Sequence, residues 1–339
     1  MGYQMDLLSR VIFSASLFFC LNLFSKIHYP DFDQSMLRLN FQMENIDKKF
    51  NQKNEKFYKE RNQELISFFK RLYEERSKEA LDDLNQETKI PKIVHQIWLG
   101  SSVPEVYKKW MKTWSELAGF EYYLWTDEEV KDFQMYNRDL FDATSNFGEK
   151  SDILRLEILR KYGGVYVDLD YECLKPQVFD ELHRGYDFYI GFEPLEHGFT
   201  HKFNMIKVCN AIIGSSPYHP LIMDLVTNLK ANFLAYEKCC TAIQKTGPSY
   251  LTRIICEHEL LGFHAKRNIY LPCSFFYTTS EPETRYLFAH PETPAVIAEE
   301  TAGFHYWYGS WWREALFEGT ITKKEKENGE GGEKYEAQL

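Results

Sequence analysis

The sequence predicts an α/β domain, a parallel sheet with flanking helices, preceded by an N-terminal helical extension. Three observations predict it. Strand-like and helix-like runs alternate from Lys89 onward, the longest helix-like run of that region stops at Gly163–Gly164, and the strand after it, "GGVYVDLDYECLKP", ends on two aspartates. The 339 residues, 44% hydrophobic and 16% aromatic, are ample for a sizeable core in one large domain or two. Forty basic against fifty acidic residues give a net charge of −10, which argues against nucleic acid as the main partner. The seven cysteines, Cys20, Cys173, Cys209, Cys239, Cys240, Cys256 and Cys273, show no CxxC spacing, so mostly free, buried thiols are expected.

Taken in order, the chain opens with an uncharged apolar run, Val11 to Phe24, close in length to a signal-peptide core and short for a bilayer-spanning helix. No small-x-small cleavage site follows it, so residues 1–30 are read as a signal anchor. A cleaved signal or a buried helix are the alternatives. From Asn40 to Gln86 apolar residues recur at roughly helical intervals in a polar background: Phe50, Phe57, Leu65, Ile66, Phe69, Leu72 and Tyr73. Residues 31–88 therefore read as a helical stem, whose helices either pack on the main domain or stand apart from it. Residues 89–319 form the main domain, and the charged, Gly-rich residues 320–339 a disordered tail.

Within the main domain "IPKIVHQIWLG" reads as a buried strand and "VPEVYKKWMKTWSELA" as a helix. "FEYYLWTD" reads as a second strand, with Asp127 capping "EEVKDF". "EKSDILRLEILRKYGG" is an amphipathic helix that delivers the chain into the aspartate strand. Ligands of such sheets sit at the carboxyl ends of the strands, where Asp168 and Asp170 fall. On a strand these two share a face, with Leu169 on the other. Two carboxylates on one face at the end of a half-buried strand repel each other, and a hard cation, Mg²⁺ or Mn²⁺, compensates them. The plain alternative is a strand that ends in polar residues. Tyr166 shares the face of Asp168, and Asp152 and Arg155, three apart on the preceding helix, share a face of their own, as an ion pair would.

Four pieces, "IPKIVHQIWLG", "KSDILRLEILRKYGGVYVDLDYECLKP", "NAIIGSSPYHP", and "TGPSYLT" followed by "HYWYGSWW", together resemble the sugar-nucleotide-dependent glycosyltransferases of family 32. These carry a DXD motif and include fungal mannosyltransferases and mannosyl inositol phosphorylceramide synthases. More distantly, the chain is similar to the clostridial glucosylating toxins. The resemblance spans Lys89 to Trp312 and implies a GT-A fold with a Rossmann-like sheet, a divalent metal and retention of anomeric configuration. It places Asp152 and Arg155 on the donor sugar, Tyr166 beside the nucleotide ribose, Ile97 and Trp98 at the nucleobase, and Asn210 on the transferred sugar. It also gives Asp168 and Asp170 to the metal, with His305 and Ser310 completing its coordination and Trp311 contacting the diphosphate. An imidazole ligand favours Mn²⁺ over Mg²⁺.

The function this implies is transfer of a hexose, mannose from GDP-mannose foremost, to a hydroxyl of a glycolipid or glycan acceptor. The protein would be a single-pass membrane protein of the secretory pathway, in the Golgi if eukaryotic. Two alternatives stand beside it: a metal-dependent hydrolase of phosphoesters or nucleotides, and a non-catalytic binding protein on the same fold.

Overall fold

The computed structural model describes residues 27–38, 56, 62–81, 87–199, 205–238, 240–262, 267–290, 295 and 297–309. The apolar run Val11–Phe24, the tail 320–339, Ser310, Trp311, Cys20 and Cys239 lie outside the described residues. Among the described residues no helix is long and apolar enough to cross a membrane.

Among the described residues eight strands carry the architecture: β1 Ile93–Ile97, β2 Glu121–Trp125, β3 Gly164–Val167, β4 Tyr171–Cys173, β5 Phe188–Phe192, β6 Val208–Ser215, β7 Asn268–Leu271 and β8 Gly303–His305. Six of them form one sheet in the order β2-β1-β3-β6-β5-β7, and β4 pairs with β8 in a separate ribbon. Strand β1 runs parallel to β2 and β3, and β5 parallel to β7, whereas β6 is antiparallel to both of its neighbours. The sheet is thus mixed where an all-parallel one was expected. Every residue of β6 is buried, so no alternation in the sequence marks its direction. Its reversal matters for the site. An antiparallel β6 brings its first residues to the carboxyl ends of β1 and β3, and the Asp168 N–H bonds Ala211 O at 2.8 Å, next to Asn210.

The helix Phe147–Tyr162 is capped by Asn146, whose side chain accepts the Glu149 N–H at 3.0 Å. It packs against β1, β3, β6 and the helix Pro220–Tyr236, and every residue from Asp152 to Leu159 is buried. The expected amphipathic face is therefore absent. A helix covered on both sides has no wet stripe, and its charged residues must find partners inside. It ends on Gly163 and Gly164, at φ +65° and +90°, and a Cβ on Gly164 would lie 2.5 Å from the Ile93 carbonyl oxygen. Only glycine lets the helix turn this tightly onto β1.

One local expectation changes, and one of two open arrangements is the one observed. The helix Asp127–Lys131 is capped by Thr126 in a capping box with Glu129, which frees Asp127 to accept the Gly100 N–H at 2.7 Å. The helix Gln63–Leu81 packs on β7, so this part of residues 31–88 belongs to the body of the domain. Phe69 on that helix is fully buried, edge-on to Phe192 at 5.1 Å and to Tyr270 at 5.0 Å. The helix Phe32–Leu37 lies beside it against Cys273–Phe276, with the buried Arg38 paired to Glu196 and Glu283.

Candidate active site

Strand β3 stops at Val167, one residue before the aspartates. The Tyr171 N–H bonds back to Asp168 O at 3.2 Å, so Leu169 and Asp170 occupy a turn between β3 and β4. Turn geometry, not strand alternation, brings the two carboxylates together. Leu169 is drawn into a separate apolar cluster with Tyr107 and Trp110. Gln96 of β1 fixes the turn from below: its amide donates to Asp168 O at 3.2 Å while its own carbonyl accepts the Tyr122 hydroxyl at 2.8 Å.

The ribbon supplies the third group. Pairing of Tyr171 with His305 sets His305 Nε2 3.2 Å from Asp170 Oδ1, and the Tyr308 N–H donates to the other oxygen of Asp170 at 2.7 Å. Asp168, Asp170 and His305 each offer a ligand atom within 4.8 Å of the others. Asp168 remains partly open to solvent, with 28% of its side chain exposed against 11% for Asp170. Two carboxylates and an imidazole on one point, open on one side, fit a divalent cation.

The expected donor residues meet at the same edge. Arg155 reaches Asp152 at 3.1 Å and Asp168 at 3.3 Å, and its guanidinium lies 4.3 Å over the Tyr166 ring. The Tyr166 hydroxyl donates to Asp168 at 2.6 Å. Asn210 donates to Asp152 Oδ1 at 2.7 Å, and the Thr246 hydroxyl to Asp152 Oδ2 at the same distance. Asp152 and Arg155 are therefore buried together at the centre of a network that spans the helix, β3, β6 and the Thr246 turn.

Electrostatically the carboxylates diverge. Burial pushes Asp152 up to about 6 against the opposing pull of Arg155, Thr246 and Asn210. Burial likewise raises Asp168, with Arg155 opposing and Asp170 assisting. Burial works on Asp170 too, but His305 and the Tyr308 N–H outweigh it and hold Asp170 below its ordinary value. Asp170 is thus the more acidic of the two carboxyls.

The two residues expected at the nucleobase, Ile97 and Trp98, separate. Trp98 is half-buried, its ring 4.9 Å from Tyr107 and its Nε1–H donated to Ser101 Oγ at 3.1 Å. Ile97 is buried in the main core. Gln96, Thr246 and the Tyr308 N–H are supports that sequence reasoning passed over. Each lies in a piece quoted for the resemblance, "IPKIVHQIWLG", "TGPSYLT" and "HYWYGSWW", but no spacing within those pieces marks it.

Residues 100–189 match the glycosyltransferase sugar-binding region containing DXD motif. The chain is 33% identical over 179 residues to inositol phosphoceramide mannosyltransferase 2 of Schizosaccharomyces pombe, covering 50% of this chain and 47% of that protein. It is 32% identical over 187 residues to mannosyl phosphorylinositol ceramide synthase SUR1 of Saccharomyces cerevisiae, covering 51% and 45%. The chain thus spans about half the length of the curated relatives it matches. Among solved structures the PaToxG glycosyltransferase aligns with a TM-score of 0.36 at 18% identity, over 59% of this chain and 79% of that one. The stretch that matches the DXD sugar-binding region, residues 100–189, holds Asp152, Arg155 and the Asp168-Leu169-Asp170 turn.

Proposed function

We propose that the chain transfers a hexose from a nucleotide sugar to an acceptor hydroxyl with the help of a divalent metal, Mn²⁺ before Mg²⁺. The observation that carries this reading is the convergence of Asp168, Asp170 and His305 with the Asp152–Arg155 pair at one edge of the sheet. A hydrolase of simple phosphoesters would have no use for the second group. Mannose, from GDP-mannose, is the proposed donor sugar and a glycolipid such as inositol phosphoceramide the proposed acceptor, supported by the names of the relatives.

Asp170, Asp168 and His305 would hold the metal, which when bound neutralises charge on the departing diphosphate. Asp152 accepts two hydrogen bonds, from Asn210 and Thr246, and is ion-paired with Arg155 at 3.1 Å; a carboxylate has about four lone-pair sites, so acceptor capacity is left for a sugar hydroxyl. Arg155 balances Asp152 and Asp168 together and keeps both available as acceptors. Tyr166, raised well above its ordinary value by burial, stays a neutral donor beside Asp168 and the proposed ribose site. Trp98 offers a ring face to the base. Ser310 and Trp311 are proposed to close the donor site from the C-terminal side, with retention of configuration and anchoring through residues 1–30 as the matching proposals for stereochemistry and location.

The test is nucleotide release by the purified chain from a panel of nucleotide sugars, with Mn²⁺, with Mg²⁺ or with chelator, and with or without inositol phosphoceramide. GDP release from GDP-mannose that requires metal is the expected result. Asp170→Asn keeps the shape but loses the ionised ligand, and turnover should fall by about 100-fold or more. Undiminished turnover of that variant in chelator would overturn the reading.

A further inference from the structure

Of the described residues other than glycine, three have a left-handed backbone, Arg38, Tyr218 and Trp307, and only Trp307 lies at the candidate metal site. Its φ is +49°, a conformation glycine adopts freely and a tryptophan resists. Something specific to the indole offsets that cost. The ring stands 4.1 Å from the His305 imidazole on one side and edge-on to His197 at 4.5 Å on the other, and its Nε1–H donates to Thr279 O at 2.8 Å. The turn itself has a second effect. The Tyr306 N–H meets the Asp170 carbonyl at 2.9 Å and the Tyr308 N–H meets the Asp170 carboxylate at 2.7 Å, so the backbone on both sides of Trp307 closes on one residue.

We propose that Trp307 is a positioning residue of the metal-binding group. Its indole fixes the plane of the His305 imidazole, and its left-handed backbone aims the Tyr308 N–H at Asp170. The consequence for metal affinity rests on the function proposed above, whereas the clamp on Asp170 does not. Contacts to His305, His197, Tyr277 and Thr279 hold the indole in place beside Asp170. Phenylalanine in its place keeps a ring against His305 and loses the hydrogen bond to Thr279. Glycine keeps the turn and loses the ring. Alanine loses the ring and strains the turn.

The experiment compares the full chain with its Trp307→Phe, Trp307→Gly and Trp307→Ala variants and with Leu182→Ala, a core substitution that destabilises the fold without touching the site. Mn²⁺ affinity is read from the electron paramagnetic resonance of the free ion, and the Tyr308 amide by hydrogen exchange without metal. Trp307→Ala and Trp307→Gly should bind Mn²⁺ about tenfold more weakly, and Trp307→Phe should stay within about threefold, the scale on which supports of metal ligands act. The Tyr308 amide should exchange at least about tenfold faster in Trp307→Ala, while Leu182→Ala matches the parent in both readouts. Parental Mn²⁺ affinity and Tyr308 protection in Trp307→Ala would overturn the proposal, as would an equal loss in Leu182→Ala. A parent chain that takes up no Mn²⁺ would refute the metal reading alone, because Tyr308 exchange still decides the clamp.

Discussion

Asp152 holds a position in which stability and function pull apart. Its carboxyl is raised to about 6 because burial disfavours its charge. An acid whose folded value lies above its unfolded one, near 3.9, stabilises fully below that lower value, and the contribution is lost as pH rises through 6. Above pH 6 the ionised Asp152 is thus a cost, which Asp152→Asn removes: an amide oxygen in the Oδ1 place still accepts from Asn210 and faces Arg155, and the amide N–H in the Oδ2 place donates to the Thr246 hydroxyl, whose own proton turns to Ala242 O at 3.3 Å. The variant should equal or exceed the parent in stability at pH 7.5, by on the order of 1 kcal/mol, with the gap closing at pH 4, and should use nucleotide sugar far less well. Denaturant midpoints at the two pH values and a donor assay check this. His95 has the opposite sign. Its Nε2–H donates to Gly163 O at 3.0 Å and its Nδ1 accepts the Trp125 Nε1–H at 3.2 Å, so a second proton would face another N–H. Burial lowers His95 to about 4 and His183 to about 3. The stability these neutral rings confer is complete above pH 6.5 and falls as the pH drops toward 4, by about 3 kcal/mol for each ring at most. Urea midpoints should therefore decline between pH 6.5 and 4.5, and less so in a His95→Gln variant.

The turn from the helix Phe147–Tyr162 into β3 sets the depth at which Asp168 emerges. Gly164→Ala would drive a Cβ to 2.5 Å from Ile93 O, whereas Gly119, also left-handed at φ +79°, has nothing within 4 Å of its missing Cβ. Gly119→Ala should cost about 1 kcal/mol for the backbone alone, and Gly164→Ala about 3 kcal/mol or more with a displaced aspartate turn. Equal denaturant midpoints for the two variants would refute this account of the Gly163–Gly164 turn. The same elements show what a sequence can disclose. Asp152, Arg155, Tyr166, Asp168 and Asp170 fall within 19 positions and are governed by local spacing, so their shared location was legible. Asn210 and His305 were placed by resemblance to a family, since nothing local ties Asn210 to Asp152, 58 positions away. Gln96, Thr246 and the Tyr308 N–H act through pairing of distant segments and a backbone group, which leave no spacing to read. The reversed β6 was hidden by its uniform burial, and the strand alternation expected of the aspartates gave way to a turn because β3 ends at Val167.

At the scale of the molecule, the helices Phe32–Leu37 and Gln63–Leu81 cover aromatic surface on β5, β7 and the segment that follows. Phe69→Ala should cost about 3–5 kcal/mol, and a chain beginning at Glu87 should aggregate or melt well below the full chain. A monodisperse Glu87 chain with an unchanged melting temperature would mean that this layer is dispensable. The β4–β8 ribbon has a consequence in time. It joins Asp170 to a histidine 135 positions later, and a ribosome adding about 5–20 residues per second needs roughly 7–27 s to make that stretch. Both aspartates and their arginine are thus synthesised well before His305 exists to meet them. A nascent chain owns the acidic pair without the imidazole that faces it, and the proposed site is complete only once a segment 135 positions later has been made.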